Sequence, residues 1–308
     1  MLKEKIKAKE SGIVLYGITP PKAKHTDDEI QVIAQKHVQR IKNLEIDGLV
    51  LYDIQDEADR TQENRPFPFM KTLDPTLYSE KYLSELTIPR VVYKAVGKYT
   101  EEEMISWLKK TKESQHYSVF VGAASDTQKQ TISMRDAYKL KKEINDELTL
   151  GGIMIPERHT KKLDEHLRVY SKINSGCEFF VSQCVYNLEA AKKFLYDYAQ
   201  NTKDDSNKIV PIIFTLTPCG SAKTLDFMKW LGINIPSWLE EKLKKSGDIL
   251  QDSVKLSREI FEELYKYGQE MGIPIGCNVE SVAIRKEEIE ASIELLLEIK
   301  DIIKKYEK

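Results

Sequence analysis

The chain has few cysteines, no sustained apolar run and no block of charge of one sign, and each shortage removes a class of protein. Its four cysteines, Cys177, Cys184, Cys219 and Cys277, form no CxxC pair and are too sparse for a disulfide scaffold. Reduced thiols in a cytoplasmic protein are therefore expected. The longest apolar stretch, Ile209 to Leu216, is interrupted by Pro211 and is far shorter than the ~20 residues that span a bilayer. Met1 to Glu10 is charged throughout, without the apolar centre of a secretory signal. Lys and Arg number 47 against 49 Asp and Glu, a net charge of −2. The signs are interleaved, as at Glu240, Glu241, Lys242, Lys244 and Lys245, so no basic stripe follows a phosphate backbone and nucleic acid is not an expected partner.

What the chain does contain is regular. Its 308 residues are 41% hydrophobic and 31% charged, which suits a globular protein with charged helical surfaces. Eight short apolar runs recur along it: Ile13 to Leu15, Gly48 to Tyr52, Arg90 to Lys94, Tyr117 to Val121, Gly152 to Ile155, Phe179 to Ser182, Ile209 to Phe214 and Ile273 to Cys277. Their apolar residues are consecutive rather than alternating, as in parallel strands buried on both faces. Helical segments lie between them, and Thr26 with Glu29 and Thr100 with Glu103 match the S/T-x-x-E capping box. Strand alternating with helix eight times predicts a (β/α)₈ TIM barrel, read as a single domain over 1–308. An open doubly wound sheet is disfavoured, because Tyr16-Gly17-Ile18-Thr19-Pro20-Pro21 stands where a G-x-G-x-x-G would follow the first strand. The seventh βα unit is enlarged, with segments near Leu225 to Leu231, Pro236 to Lys245 and Asp252 to Met271.

Barrel enzymes carry their sites at the carboxyl ends of the strands. The polar residues there are Thr19, then Asp53 and Gln55, Lys94 within the third strand, Asp126, Glu157 and His159, Gln183, Thr215 and Thr217, and finally Asn278, Glu280 and Ser281. His25, His37, His116 and His166 have no spacing that suggests a metal and read as surface residues.

Several of these segments together resemble the methylenetetrahydrofolate reductase family. They are Pro20-Pro21, Pro156-Glu157-Arg158-His159, Ser175 through Gln183 along the sixth strand, Ile212-Ile213-Phe214-Thr215-Leu216-Thr217-Pro218, and Leu231-Gly232-Ile233-Asn234-Ile235-Pro236. The resemblance implies a barrel carrying FAD that takes hydride from NADH or NADPH and reduces 5,10-methylenetetrahydrofolate in one-carbon metabolism and methionine biosynthesis. By position it implies that Gln183 bonds the pterin, that Tyr93, His159 and Lys172 contact the flavin, and that Asp126 lies beside flavin and folate. A homo-oligomer or an electron-supplying subunit is among the partners it allows.

The chain also departs from that pattern. Gly17 stands where the family has an acidic residue that assists proton transfer, and Ala222 stands near the family's folate-packing aromatic residue. The eighth strand, Gly276-Cys277-Asn278-Val279-Glu280-Ser281-Val282, lacks the family's Leu-Asn-Arg end. Glu280 is the substitute acid that the sequence offers, since the eighth strand neighbours the first in a closed barrel. Arg285 stands in for the missing arginine. Two other readings remain: a zinc-thiolate methyltransferase using Cys184, Cys219 and Cys277, and a non-catalytic folate-binding barrel, which Gly17 favours.

Overall fold

The computed structural model describes residues 2–56, 64–112, 117–123 and 130–307. Eight parallel strands, β1 (Val14–Ile18), β2 (Gly48–Leu51), β3 (Arg90–Ala95), β4 (Tyr117–Val121), β5 (Leu150–Met154), β6 (Cys177–Cys184), β7 (Ile212–Leu216) and β8 (Ile275–Glu280), close a barrel in sequence order. Helix α1 (Leu2–Ala8) precedes them. Helices α2 (Asp27–Ile41), α3 (Pro75–Tyr82), α4 (Glu101–Thr111) and α5 (Met134–Ile144) follow the first four strands in turn. After β5 come α6 (Pro156–Lys162) and α7 (Glu165–Asn174), and after β6 comes α8 (Leu188–Thr202). The enlarged seventh unit carries α9 (Ala222–Trp230), α10 (Ser237–Lys244) and α11 (Ile249–Met271), and α12 (Lys286–Tyr306) closes the series. The (β/α)₈ class expected from the sequence is the observed one, including the enlarged seventh unit.

The consecutive apolar runs become strands because both faces are covered: every residue of β1, β2, β3 and β7 is buried. Two strands begin two or three residues later than the apolar runs suggest, β7 at Ile212 and β8 at Ile275. The cause is Pro211 and Pro274, which have no N–H to give the ladder. They serve it as acceptors instead, Phe180 N–H donating to Pro211 O and Ile212 N–H to Pro274 O, each at 2.9 Å. Both capping boxes form, at Thr26 with Glu29 and at Thr100 with Glu103. Helix α11 stops at Gly272, whose φ of 69° is the left-handed conformation that glycine adopts without strain.

The described residues fall into two compact units. One lies within 17–64 and 68–151, and the other within 1–16, 65–67 and 152–308. In the first, β2, β3 and β4 pair in parallel, with Leu49 opposite Arg90 and Val91 opposite Tyr117. In the second, β6, β7 and β8 pair in parallel, with Phe180 opposite Ile212 and Ile212 opposite Ile275. The seventh-unit helices fold onto this second unit, where Leu225, Met228, Ile233, Ile235, Leu239 and Leu243 share one apolar cluster with Cys184, Tyr186 and Cys219. No helix among the described residues is long and apolar enough to cross a membrane.

Close packing of β8 depends on one small residue. A Cβ added at Gly276 would lie 2.7 Å from the Ile13 carbonyl oxygen and 3.1 Å from Ile213 Cγ1, and the first of these is main chain that cannot turn aside. Gly276→Ala is expected to lower unfolding stability by about 1 to 3 kcal/mol, as overpacking does. Urea unfolding will read this as a lower midpoint at unchanged slope. Gly247→Ala, whose added methyl meets nothing within 4 Å, is the matched control and leaves the midpoint in place.

Candidate functional site

At the carboxyl ends of β2 and β3, within the first unit, the polar side chains are bound up with one another. Asp53 accepts from Ala95 N–H at 2.8 Å, from the Tyr99 hydroxyl at 2.9 Å and from the Lys98 ammonium. Lys94 lies in a cage, its Nζ 3.5 Å from the centre of the Tyr99 ring, 5.1 Å from that of Trp107 and 3.5 Å from Asp74. Burial pulls the Lys94 pKa down while Asp74 and Asp53 hold it up. Gln55 donates to Gly122 O at 3.1 Å. These groups brace loops; sequence position alone had made Asp53, Gln55 and Lys94 candidates for chemistry.

Gly17 has a steric explanation in the same unit. A Cβ there would sit 2.6 Å from Tyr52 Oη and 2.8 Å from Tyr52 Cε2, so the tyrosine occupies the space into which a side chain on β1 would project. Tyr52 in turn meets Tyr93 edge to face, with ring centres 4.9 Å apart at 81°. The acidic residue expected of the family is thus replaced by a glycine and tyrosine pair, and Tyr93 packs against that tyrosine.

The second unit gathers a different set at the ends of β5 to β8. Glu165 is fully buried and accepts from Ile155 N–H at 2.9 Å, just past β5. Lys172 donates to Ile153 O at 2.5 Å. Burial lowers its pKa and the Glu165 charge opposes that. Glu157 is buried as well, and among the described residues neither of its carboxyl oxygens has a hydrogen-bond partner beyond its own residue. Leaving such a group unmatched costs about 1 to 3 kcal/mol. Burial first, and the Glu165 charge second, push its pKa up to about 8. Across the neighbouring strands Asn278 donates to Thr215 Oγ1 at 3.1 Å, and Val282 N–H reaches Thr217 Oγ1 at 3.3 Å.

The residues singled out in the sequence divide accordingly. Gln183 is the penultimate residue of β6, half-exposed, and gives one N–H to Leu231 O at 2.9 Å, which ties it to the end of α9. Glu280 is the last residue of β8, and its charge, with that of Glu157, acts on the buried Cys184 thiol. Arg285 is exposed at the N-cap of α12, its Nε 3.8 Å from Glu288. His159 differs from expectation: it is fully buried between α6 and α8, with Nε2 2.6 Å from Asp197 and its ring edge-on to His166 and Phe194. Helical periodicity turns it away from the strand ends. His37, read as a surface residue, is half-buried and bonds the Tyr78 hydroxyl at 2.9 Å. His166 is half-buried too, while Asp126 and His116 lie outside the described residues.

Three features of this unit were not singled out in the sequence. The pairing of Glu157 with Glu165 is one, and it joins carboxyls eight residues apart on two successive helices, which no local pattern in the sequence marks. Glu288 is another: buried on α12, it accepts from Gly220 N–H at 2.8 Å and from the Thr224 hydroxyl at 3.0 Å, pinning the loop after β7. The third is an aromatic group at α9. Phe67 meets Phe227 edge to face at 5.2 Å, Arg65 lies over Phe227 and Trp230 at 5.4 and 4.9 Å, and Lys223 Nζ is 4.6 Å from the Phe67 ring centre. The segment Arg65-Pro66-Phe67-Pro68-Phe69, rich in rings and prolines, was its signal.

The flavin implied by the resemblance fits these residues poorly. Of the three assigned to it, His159 is spent on Asp197, Tyr93 is packed on Tyr52, and Lys172 alone keeps a cation at a strand end, held on Ile153 O. A diphosphate cradle needs converging donors, and the described side chains do not supply one. A thiolate metal centre has no better support, because among the described residues no group of three or more His, Cys, Asp or Glu side chains is placed to hold a metal ion.

A family model for methylenetetrahydrofolate reductase matches residues 123–271. Among curated proteins none matches the chain. Among solved structures the chain is similar to an uncharacterized protein from Clostridium thermocellum that binds two copies of 5-methyl-5,6,7,8-tetrahydrofolic acid, with 53% identity over 98% of this chain and 100% of that one and a TM-score of 0.88. It is also similar to apo-MsnO8, at 9% identity over 95% of this chain and 99% of that one, with a TM-score of 0.54. The second likeness shows the fold alone.

All four cysteines are buried, and burial pushes the thiols of Cys184 and Cys277 far up and that of Cys219 up to about 12. Thiolate is the reactive form. The native protein is therefore expected to react slowly with a disulfide reagent at pH 8, while all four thiols react at once in urea. One or more fast native thiols would refute the assignment of these cysteines to packing.

Proposed function

The chain belongs to the methylenetetrahydrofolate reductase family, and from that premise we propose that it is a barrel that binds reduced folate, with 5-methyltetrahydrofolate as its ligand. The observation that carries this reading is the likeness, end to end and at 53% identity, to a protein that binds two copies of that molecule. The chemistry at the ends of β5 to β8 supports it. A pterin edge alternates donors and acceptors, which the Gln183 amide and the Glu157 carboxyl can match. A p-aminobenzoyl ring suits the rings of Phe67 and Phe227, and a glutamate tail suits the cations Arg65 and Lys223 beside them.

Flavin-dependent reduction, with FAD and NADH or NADPH, is the second reading, and Lys172 is the residue that favours it. The commitments of His159 and Tyr93 weigh against it, as does Gly17 beneath Tyr52. Binding without redox chemistry asks less of these residues.

Calorimetric titration of the full chain with 5-methyltetrahydrofolate is expected to give saturable binding with two sites. Gln183→Ala should weaken binding roughly tenfold, the worth of one buried hydrogen bond. No heat at millimolar ligand would remove the proposal. The flavin question is read separately: after incubation with FAD and desalting, the protein is expected to be colourless. One retained flavin per chain would restore the reductase reading.

A further inference from the structure

Glu157 and His159 stand two positions apart on α6, and at about 100° per residue their side chains leave the helix on opposite faces. His159 faces α8 and bonds Asp197. Glu157 leaves by the other face, and its carboxyl lies near enough to the Cys184 thiol of β6 to act on it when ionised, as Glu280 of β8 does. The residue is 6% exposed, and among the described residues its two carboxyl oxygens find no partner beyond their own residue. Buried polar atoms are nearly always matched, so the missing partner is to be sought in a bound molecule.

Resting on the reading that reduced folate binds here, we propose that Glu157 contacts the ligand as a carboxylic acid, donating its O–H to the carbonyl of the pterin lactam and accepting the lactam N–H. A protonated carboxyl holds one donor and one acceptor side by side. The lactam presents the complementary pair. Gln183 has the same pair of functions on β6, but one of its N–H groups is already held by Leu231 O.

The surroundings decide when the proton is present. From α7 Glu165 and Lys172 face this corner, with Arg158 and Arg168 beside Glu165; Cys184 faces it from β6 and Glu280 from β8. On the far side of α6, Asp197 and Lys193 of α8 are engaged with His159 and with each other. Burial, and then the Glu165 charge, hold the Glu157 proton on up to about pH 8. The acid form is thus the resident form at neutral pH. Because the folded pKa lies above the ordinary value of 4.5, stability is full below that value and is lost as pH rises from there to about 8.

The test is calorimetric titration with 5-methyltetrahydrofolate across about pH 6.5 to 9.5. Wild-type affinity is expected to be level to about pH 8 and then to fall about tenfold per pH unit, with proton uptake on binding near the break, read by comparing buffers of different ionisation heat. Glu157→Gln keeps a donor and an acceptor but cannot ionise. It should bind like wild type at neutral pH and stay level to the end of the range, while Glu157→Ala binds weakly throughout. Glu165→Gln should move the wild-type break to lower pH, because it removes the like charge. Melting adds a check without ligand, Glu157→Gln being more stable than wild type at pH 9 and not at pH 4. If wild type binds folate with a level profile and no proton uptake, or if the Gln variant is as weak as the Ala variant, the inference is overturned and the folate reading stands. If wild type binds no folate at any pH, the folate reading has failed and the inference falls with it. Should the variants fold poorly, proton uptake by wild type decides alone.

Discussion

Strands buried on both faces leave no water at hand for the polar groups at their ends. Each must be matched by the protein or by something the protein binds. Most of what lies past the strands of this chain answers that demand from within. Asp53 satisfies Ala95 N–H and gathers Tyr99 and Lys98. Glu165 caps the end of β5 through Ile155 N–H, and Glu288 reaches from α12 to Gly220. These carboxylates hold loops, and the loops then hold a smaller set of groups that the protein itself does not complete. Glu157 is the clearest member of that set.

The scaffold was open to reading from the sequence because it rests on local and periodic signals. Runs of consecutive apolar residues marked every strand, capping boxes marked α2 and α4, and the segments of the seventh unit were found as α9, α10 and α11. Errors there were small and had a local cause, as at Pro211 and Pro274, where the hydrophobic run outlasts the ability to donate a hydrogen bond. The site was harder to read because strand-end position says where a residue starts and not where its side chain goes. His159 and Glu157 occupy the same turn, yet one is locked to Asp197 and the other lies near the Cys184 thiol of β6. Only the helix's rotational phase separates them, and two residues after a strand do not fix that phase.

Gly17 illustrates a second limit. As a letter in the chain it reads as the loss of an acid. In the fold it is one half of an exchange, because Tyr52 fills the space above it and packs on Tyr93. Restoring a carboxylate at that point would need the tyrosine to leave as well. Gly17 is therefore part of one packed group that joins β1, the residue just past β2, and β3. The exposed ring of Phe67 makes the same point at α9: it comes from a distant position in the chain to meet Phe227, which stands five residues beyond Ala222.

Taken together, these features act unequally on the residues that the resemblance assigns to flavin and on those it assigns to folate. On the side assigned to flavin, His159 and Tyr93 have acquired partners inside the protein, and a group with a partner binds a diphosphate or a ring only by giving that partner up. On the side assigned to folate, Gln183 keeps part of its amide, the rings of Phe67 and Phe227 stand beside Arg65 and Lys223, and a buried acid lacks a partner of its own. That division supports the proposal that the chain holds a reduced folate rather than reducing it. That distribution of satisfied and unsatisfied groups, more than the likeness of fold, is the physical argument for binding over reduction.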